Sequence, residues 1–232
     1  MRDIVNFFRP YKFLGPASYD EIPAYESAFE QAIKFTKRLG VLPRQFDCNL
    51  GRDNILDRDG LFLEPVFKAA GITDPRQSAG QCLKWCHYLQ PHFEKHLKRS
   101  VVLTIGQLWH GQSCVFGPSF EDVRRWIEGG LHVSDLNDGE GFRLHAWLTV
   151  ESGEIIEPTL LSTLAAFAND AYKQFAGGVV WGRDPTVLNS HRYFPMAVGH
   201  EMVERIASRS TIPLLARTAG ELSYAGVILV NS

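Results

Sequence analysis

Between Ser78 and Phe93 the apolar residues Cys82, Trp85, Cys86, Leu89 and Phe93 fall on one face of a helix. A helix with such a stripe must bury it against another layer, and the next segments supply one. Ser100 to Leu108 is rich in β-branched residues and reads as a strand, and Ser113 to Phe116 as a second. Phe142 to Val150 and Glu154 to Glu157 read as a hairpin. Further helices are expected from Ser18 to Leu39, stopped by Gly40, from Leu63 to Ala70, ended by Gly71, and from Phe120 to Glu128, closed by Gly129 and Gly130. Two more are expected from Leu160 to Phe175 and from Glu201 to Ser208. Gly178 to Trp181 and Val227 to Val230 read as additional strands. Pro91 removes a backbone donor from the amphipathic helix, so a kink or a second helix starting there is expected. Helices first, then strands with interspersed helices, define an α+β chain.

The chain has 232 residues, enough for one domain with a substantial core. A formal charge of -2 and the lack of a basic run give no general attraction to nucleic acid or anionic membranes, so neither is expected as a partner. The N-terminus lacks the apolar stretch of a signal peptide, and no segment reaches membrane-spanning length. The expected compartment is therefore the cytoplasm, with signal-less secretion left open. The apolar stretch from Leu160 to Ala168 contains hydroxyl residues and reads as a core helix. Cys48, Cys82, Cys86 and Cys114 have no CxxC spacing and read as free thiols.

The question is which thiol is placed to react. Cys82 falls at the start of its helix, where unpaired N–H groups and the positive end of the dipole favour a thiolate. Gly80 lets the backbone approach a substrate carbonyl, and the Cys82 N–H could contribute to an oxyanion hole. A base must come from elsewhere, and His145 lies on the first strand of the hairpin. If Glu151, Ser152 and Gly153 form a three-residue loop with Gly153 left-handed, Trp147 stands opposite Glu157. His145 and Glu157 then share a face as diagonal neighbours about 7–8 Å apart at the backbone. A two-residue turn would put them on opposite faces.

Gly80-Gln81-Cys82 opening a helix, His145-Ala146-Trp147 on a strand and Glu157-Pro158-Thr159 on the next resemble the core of the transglutaminase-like superfamily, a branch of the papain-like thiol enzymes. The order Cys, His, acid is that family's; the family usually has Asp where Glu157 stands, and a longer His-to-acid connection. The resemblance covers Gln77 to Thr159. It implies an active-site helix packed on an antiparallel sheet, within a single domain of 1–232. In that domain 1–75 is a helical extension, 76–160 the catalytic core and 161–232 an α/β elaboration. It also implies acyl transfer on a peptide or protein amide, or a glutamine side chain, through a Cys82–His145–Glu157 triad. No cofactor is expected. Gln77 and Gln81 are candidate side-chain oxyanion donors, and Trp147 is expected to pack beneath the site.

Other readings stand beside this one. An amine acceptor would make the protein a transglutaminase or N-acyltransferase, and the same chemistry could serve a delivered effector or toxin. A catalytically inert protein-binding module on the same fold is the reading from another class. His92 and His96 have i,i+4 spacing, but Phe93-Glu94-Lys95 between them is not a zinc-protease motif, and no metal site is expected. His87, His110, His132, His191 and His200 show no ligand spacing and read as surface or loop residues. No glycine-rich phosphate loop is present in the sequence.

Overall fold

The computed structural model describes residues 13–41, 50–51, 53–135, 143–168 and 170–223. Cys48, Phe142 and the expected strand from Val227 to Val230 lie outside them. The first helix, α1 (Tyr25–Arg38), starts later than its sequence pattern suggests, after a separate 3-10 turn at Tyr19–Glu21. Pro23 is the cause, because it disfavours helical backbone at Ile22, which is extended (φ -67°, ψ 117°). Helix α2 (Leu63–Ala69) ends at Gly71, whose φ is +69°.

Helix α3 (Cys82–Leu97) runs through Pro91 without a second helix starting there. Leu89 and Phe93, buried on either side of the proline, hold the helix against the core through the missing hydrogen bond.

The strands are β1 (Val101–His110), β2 (Ser113–Phe116), β3 (His145–Val150), β4 (Ile155–Glu157), β5 (Val180–Gly182) and β6 (His191–Val198). They form one six-stranded sheet in the order β2-β1-β3-β4-β5, with β6 on β1, and every pairing is antiparallel. β6 overlaps both β2 and β3 along β1, so those two strands share β1's opposite edge, end to end. The remaining helices are α4 (Phe120–Gly129), α5 (Leu160–Phe167), α6 (His200–Arg209) and the short α7 (Ala219–Leu222). The α+β class thus holds, with an antiparallel sheet.

Two elements depart from expectation. β6 has no counterpart in the sequence reading because Pro195 interrupts its pattern. The proline is accommodated at a bulge: Ala197 pairs with Ile105 and Pro195 with Gly106, leaving Met196 unpaired and buried. The long helix expected from Leu160 to Phe175 is instead α5 and a separate 3-10 segment, Asp170–Phe175. Nor is α5 a core helix, since only Leu160 and Ser162 are buried and its last turn is exposed. With its last turn only partly covered, propensity alone does not carry the helix further.

Alternation along the strands divides the core. Leu103, Ile105, Ala146, Leu148 and Ile156 belong to the cluster that includes Trp85, Cys86, Leu89 and Phe93 of α3. Val102, Leu108, Trp147, Ile155 and Tyr193 pack with Tyr25, Phe29, Ala32 and Ile33 of α1. Gly106 lies at the β1–β6 bulge, against the Trp147 ring. A Cβ there would strike the Phe194 carbonyl and lie 2.7 Å from the Trp147 ring.

Candidate active site

The β3–β4 hairpin fixes the geometry. Leu148 pairs with Ile156 and Thr149 with Ile155, and the Val150 N–H donates to the Glu154 carbonyl at 2.8 Å. The connection is therefore the three residues 151–153, with Gly153 left-handed at φ +84°. The loop is pinned from outside. Arg183 Nη1 donates to the Ser152 carbonyl at 2.6 Å, and the Glu154 carboxylate accepts from the Ile55 N–H at 2.7 Å and the Ser152 hydroxyl at 2.7 Å. Continued one pair further, this register sets Trp147 opposite Glu157 and puts His145 and Glu157 on one face.

On that face His145 Nε2 stands 2.6 Å from Glu157 Oε2, with the two side chains 2% and 0% exposed. The contact is an ion pair and not an aligned hydrogen bond, since neither atom has a partner in line. The other carboxylate oxygen, Oε1, accepts from the Thr159 N–H (3.1 Å), the Thr159 hydroxyl (3.0 Å) and the Leu160 N–H (3.2 Å). Glu157 thus holds the N-terminus of α5 with one oxygen and faces the imidazole with the other. Phe116, at the end of β2, stacks on His145 with ring centroids 4.6 Å apart and planes within 10°. That stack follows from β2 and β3 meeting end to end along β1.

Cys82 is the first residue of α3, and Gln81 before it supplies no side-chain cap. The half-buried thiol lies 3.7 Å from the Leu144 carbonyl, at the threshold of β3. The sulfur is also close enough to the His145 ring to act on it electrostatically. Burial opposes protonation of His145, but the Glu157 carboxylate and the Cys82 sulfur outweigh it and raise the imidazole to about 10. The approach to Cys82 is tied to the segment after Glu157. The Ser78 hydroxyl donates to the Pro158 carbonyl at 3.2 Å, and the Gly80 N–H donates to the Thr163 hydroxyl at 3.0 Å.

The other described thiols differ from Cys82. Cys86 is fully buried, and burial together with Glu157 and Cys82 pushes its thiol well up. Cys114 is an exposed residue, but its sulfur sits against the Phe116 carbonyl, and local desolvation pushes it up to about 11.

Gln81 Nε2 donates to the Gln77 carbonyl at 2.8 Å and to the Leu222 carbonyl at 3.4 Å, so its amide is engaged with backbone. Gln77 is exposed on the 3-10 turn Pro75–Ser78. Trp147 is fully buried, and its indole N–H donates to the Tyr25 hydroxyl at 2.8 Å. Phe116, Thr159 and Tyr193 surround the pair; Thr159 belongs to the Glu157-Pro158-Thr159 motif, whereas Phe116 and Tyr193 have no role at the site in the sequence reading. Phe116 and Tyr193 come from other strands. Tyr193 approaches His145 at 6.5 Å between rings and Trp147 at 5.1 Å.

The surface-or-loop reading holds for His110, which is exposed, but His87 and His191 are largely buried, on a helix and a strand. His110 and His191 face each other across β1 and β6 with rings stacked at 4.4 Å, and His191 is buried. His87 and His200 also stack, at 4.8 Å, and with Glu204 they form the cluster among the described residues whose donors could hold a metal ion.

No protein-family model matches the sequence, and neither a curated protein nor a solved structure matches it. No helix among the described residues is long and apolar enough to cross a membrane.

Proposed function

We propose that the protein is a cysteine-dependent acyl-transfer enzyme acting on an amide, with a papain-like, transglutaminase-like core. The observation that carries this reading is a buried imidazole 2.6 Å from the Glu157 carboxylate and within electrostatic reach of Cys82, the first residue of α3. A thiol at an uncapped helix N-terminus, a histidine and a buried orienting carboxylate are the parts that thiol acyl transfer requires.

The Cys82 sulfur attacks the amide carbonyl carbon, and its proton resides on His145. The carbonyl oxygen becomes an oxyanion facing the first-turn N–H groups of α3. Gln77, exposed beside them, is a better side-chain donor than Gln81, whose amide already serves two carbonyls. The C–N bond then breaks as His145 gives its proton to the departing amine. Water attacks the resulting thioester, releases its proton to His145, and the carboxylic acid leaves as the thiol re-forms. Glu157 keeps the imidazolium oriented throughout. An amine in place of water would give a new amide.

The test is mass spectrometry of a denatured protein and glutamine-containing peptides incubated with the full chain in heavy-oxygen water, with and without a primary amine. Heavy oxygen at a new chain end, or at a glutamine converted to glutamate, is expected and is lost in Cys82→Ala. Product formation that survives Cys82→Ala, or no covalent adduct at Cys82 with substrate-like electrophiles, overturns the proposal and favours an inert binding module.

A further inference from the structure

We propose that His87, His200 and Glu204 form a binding site for a divalent transition metal ion, with zinc the best match to their chemistry, and that the ion clamps α3 to α6. This inference goes beyond the acyl-transfer reading and does not depend on it.

The three donors come from two helices. His200 opens α6 immediately after Gly199, whose φ of +111° and N–H bond to the Leu103 carbonyl at 2.9 Å fix where the helix begins. Glu204 follows one turn later, on the same side of α6. His87 projects from α3, five residues beyond Cys82. Nε2 of His87 lies 3.1 Å from Glu204 Oε1, and Nε2 of His200 lies 3.4 Å from the same oxygen. One donor atom from each residue falls within 4.8 Å of the others. Tetrahedral zinc, with bonds of about 2.0–2.2 Å, separates neighbouring ligand atoms by roughly 3.3–3.5 Å. The His200–Glu204 edge is therefore at coordination spacing and the His87–Glu204 edge slightly inside it, and the stacked imidazoles have to turn for both Nε2 atoms to point at one ion.

The chemistry of the set agrees. Two imidazoles and one carboxylate are ligands for a borderline ion such as zinc and a poor set for calcium or magnesium, which prefer all-oxygen shells. The His87 side chain is only 11% exposed, and its Nδ1 is buried with no hydrogen-bond partner, while Nε2 faces Glu204. The Glu204 side chain is 46% exposed, which leaves an open side for ion entry and a fourth, water ligand. A carboxylate merely accepting from two neutral imidazoles would show similar distances, so binding has to be measured.

The experiment uses the tag-free full chain carrying Cys82→Ser, which removes the thiol beside the other imidazole–carboxylate pair. After chelator treatment it is titrated with cobalt(II) and then zinc, with Tm recorded in parallel. One equivalent of cobalt with the visible absorption of a four-coordinate site and no thiolate charge-transfer band is expected. Zinc should displace it and raise Tm. Glu204→Gln alters an exposed side chain, so that metal-free variant should keep its Tm, and in both it and His200→Ala affinity should fall by about tenfold or more. No saturable binding, a thiolate band, or equal affinity in both variants would overturn the assignment.

Discussion

His145 and Glu157 face each other through Nε2 and Oε2 at 2.6 Å, out of contact with water. The folded-state value of about 10 lies above the ordinary imidazole value of 6.5. The charged pair therefore contributes its full stability below about pH 6.5, and that contribution is lost as pH rises through about 10. Wild-type Tm should fall across that window relative to Glu157→Gln, in which the buried imidazole has no carboxylate to keep it charged. Parallel Tm curves for the two proteins between those pH values would show that the pair is not ionised.

Alkylation should separate the thiols. Near neutral pH iodoacetamide should modify Cys82 ahead of Cys86, which is sealed in the core, and of Cys114, whose thiol is pushed up to about 11. His145→Ala should slow Cys82 modification roughly tenfold or more, because the imidazole that accepts the thiol proton is gone. Peptide-resolved mass spectrometry reads each site, and equal rates at Cys82 and Cys114 would deny the sulfur–imidazole coupling.

Thr159→Val tests positioning. The change keeps the shape but removes one of three hydrogen bonds to Glu157 Oε1. Hydrogen bonds to charged groups contribute about 1.5–3 kcal/mol, so denaturant unfolding should show a loss in that range. If the carboxylate also loosens against His145, the pH profile of Cys82 alkylation should shift. A purely structural threonine would leave that profile unmoved.

Gly106→Ala tests the close approach at the bulge. Its methyl group would meet the Phe194 carbonyl and the Trp147 ring, neither of which is a flexible chain end. Overpacking of this kind costs about 1–3 kcal/mol, and here backbone must move as well. A clear drop in the denaturant midpoint is expected, and an unchanged midpoint would mean that β1 and β6 separate easily at the bulge.

Much of the architecture could be read from residue order because the signals are local. The stripe from Cys82 to Phe93 dictates a buried helix face, β-branched residues dictate β1, and Gly153 selects a loop length whose register puts His145 and Glu157 on one side. Those three residues stand within one hairpin, so their relation needs nothing distant. Pro91 and Pro195 mark where local rules mislead. In each case burial of the surrounding residues, Leu89 and Phe93 or Phe194 and Met196, outweighs the missing N–H. The apolar α5 misled in the other direction, since its pattern promised a core position that tertiary packing does not provide.

What the chain order alone determined is the buried face of α3 and the geometry inside the β3–β4 hairpin, both set by short-range periodicity and turn chemistry. Only the tertiary structure decided that Phe116 stacks on His145, that Cys82 reaches that ring, and that His87 meets His200 and Glu204. Each of these joins residues about 30 to 120 positions apart through strand pairing and helix packing. No local preference encodes such contacts, because the burial energy that creates them belongs to the assembled core.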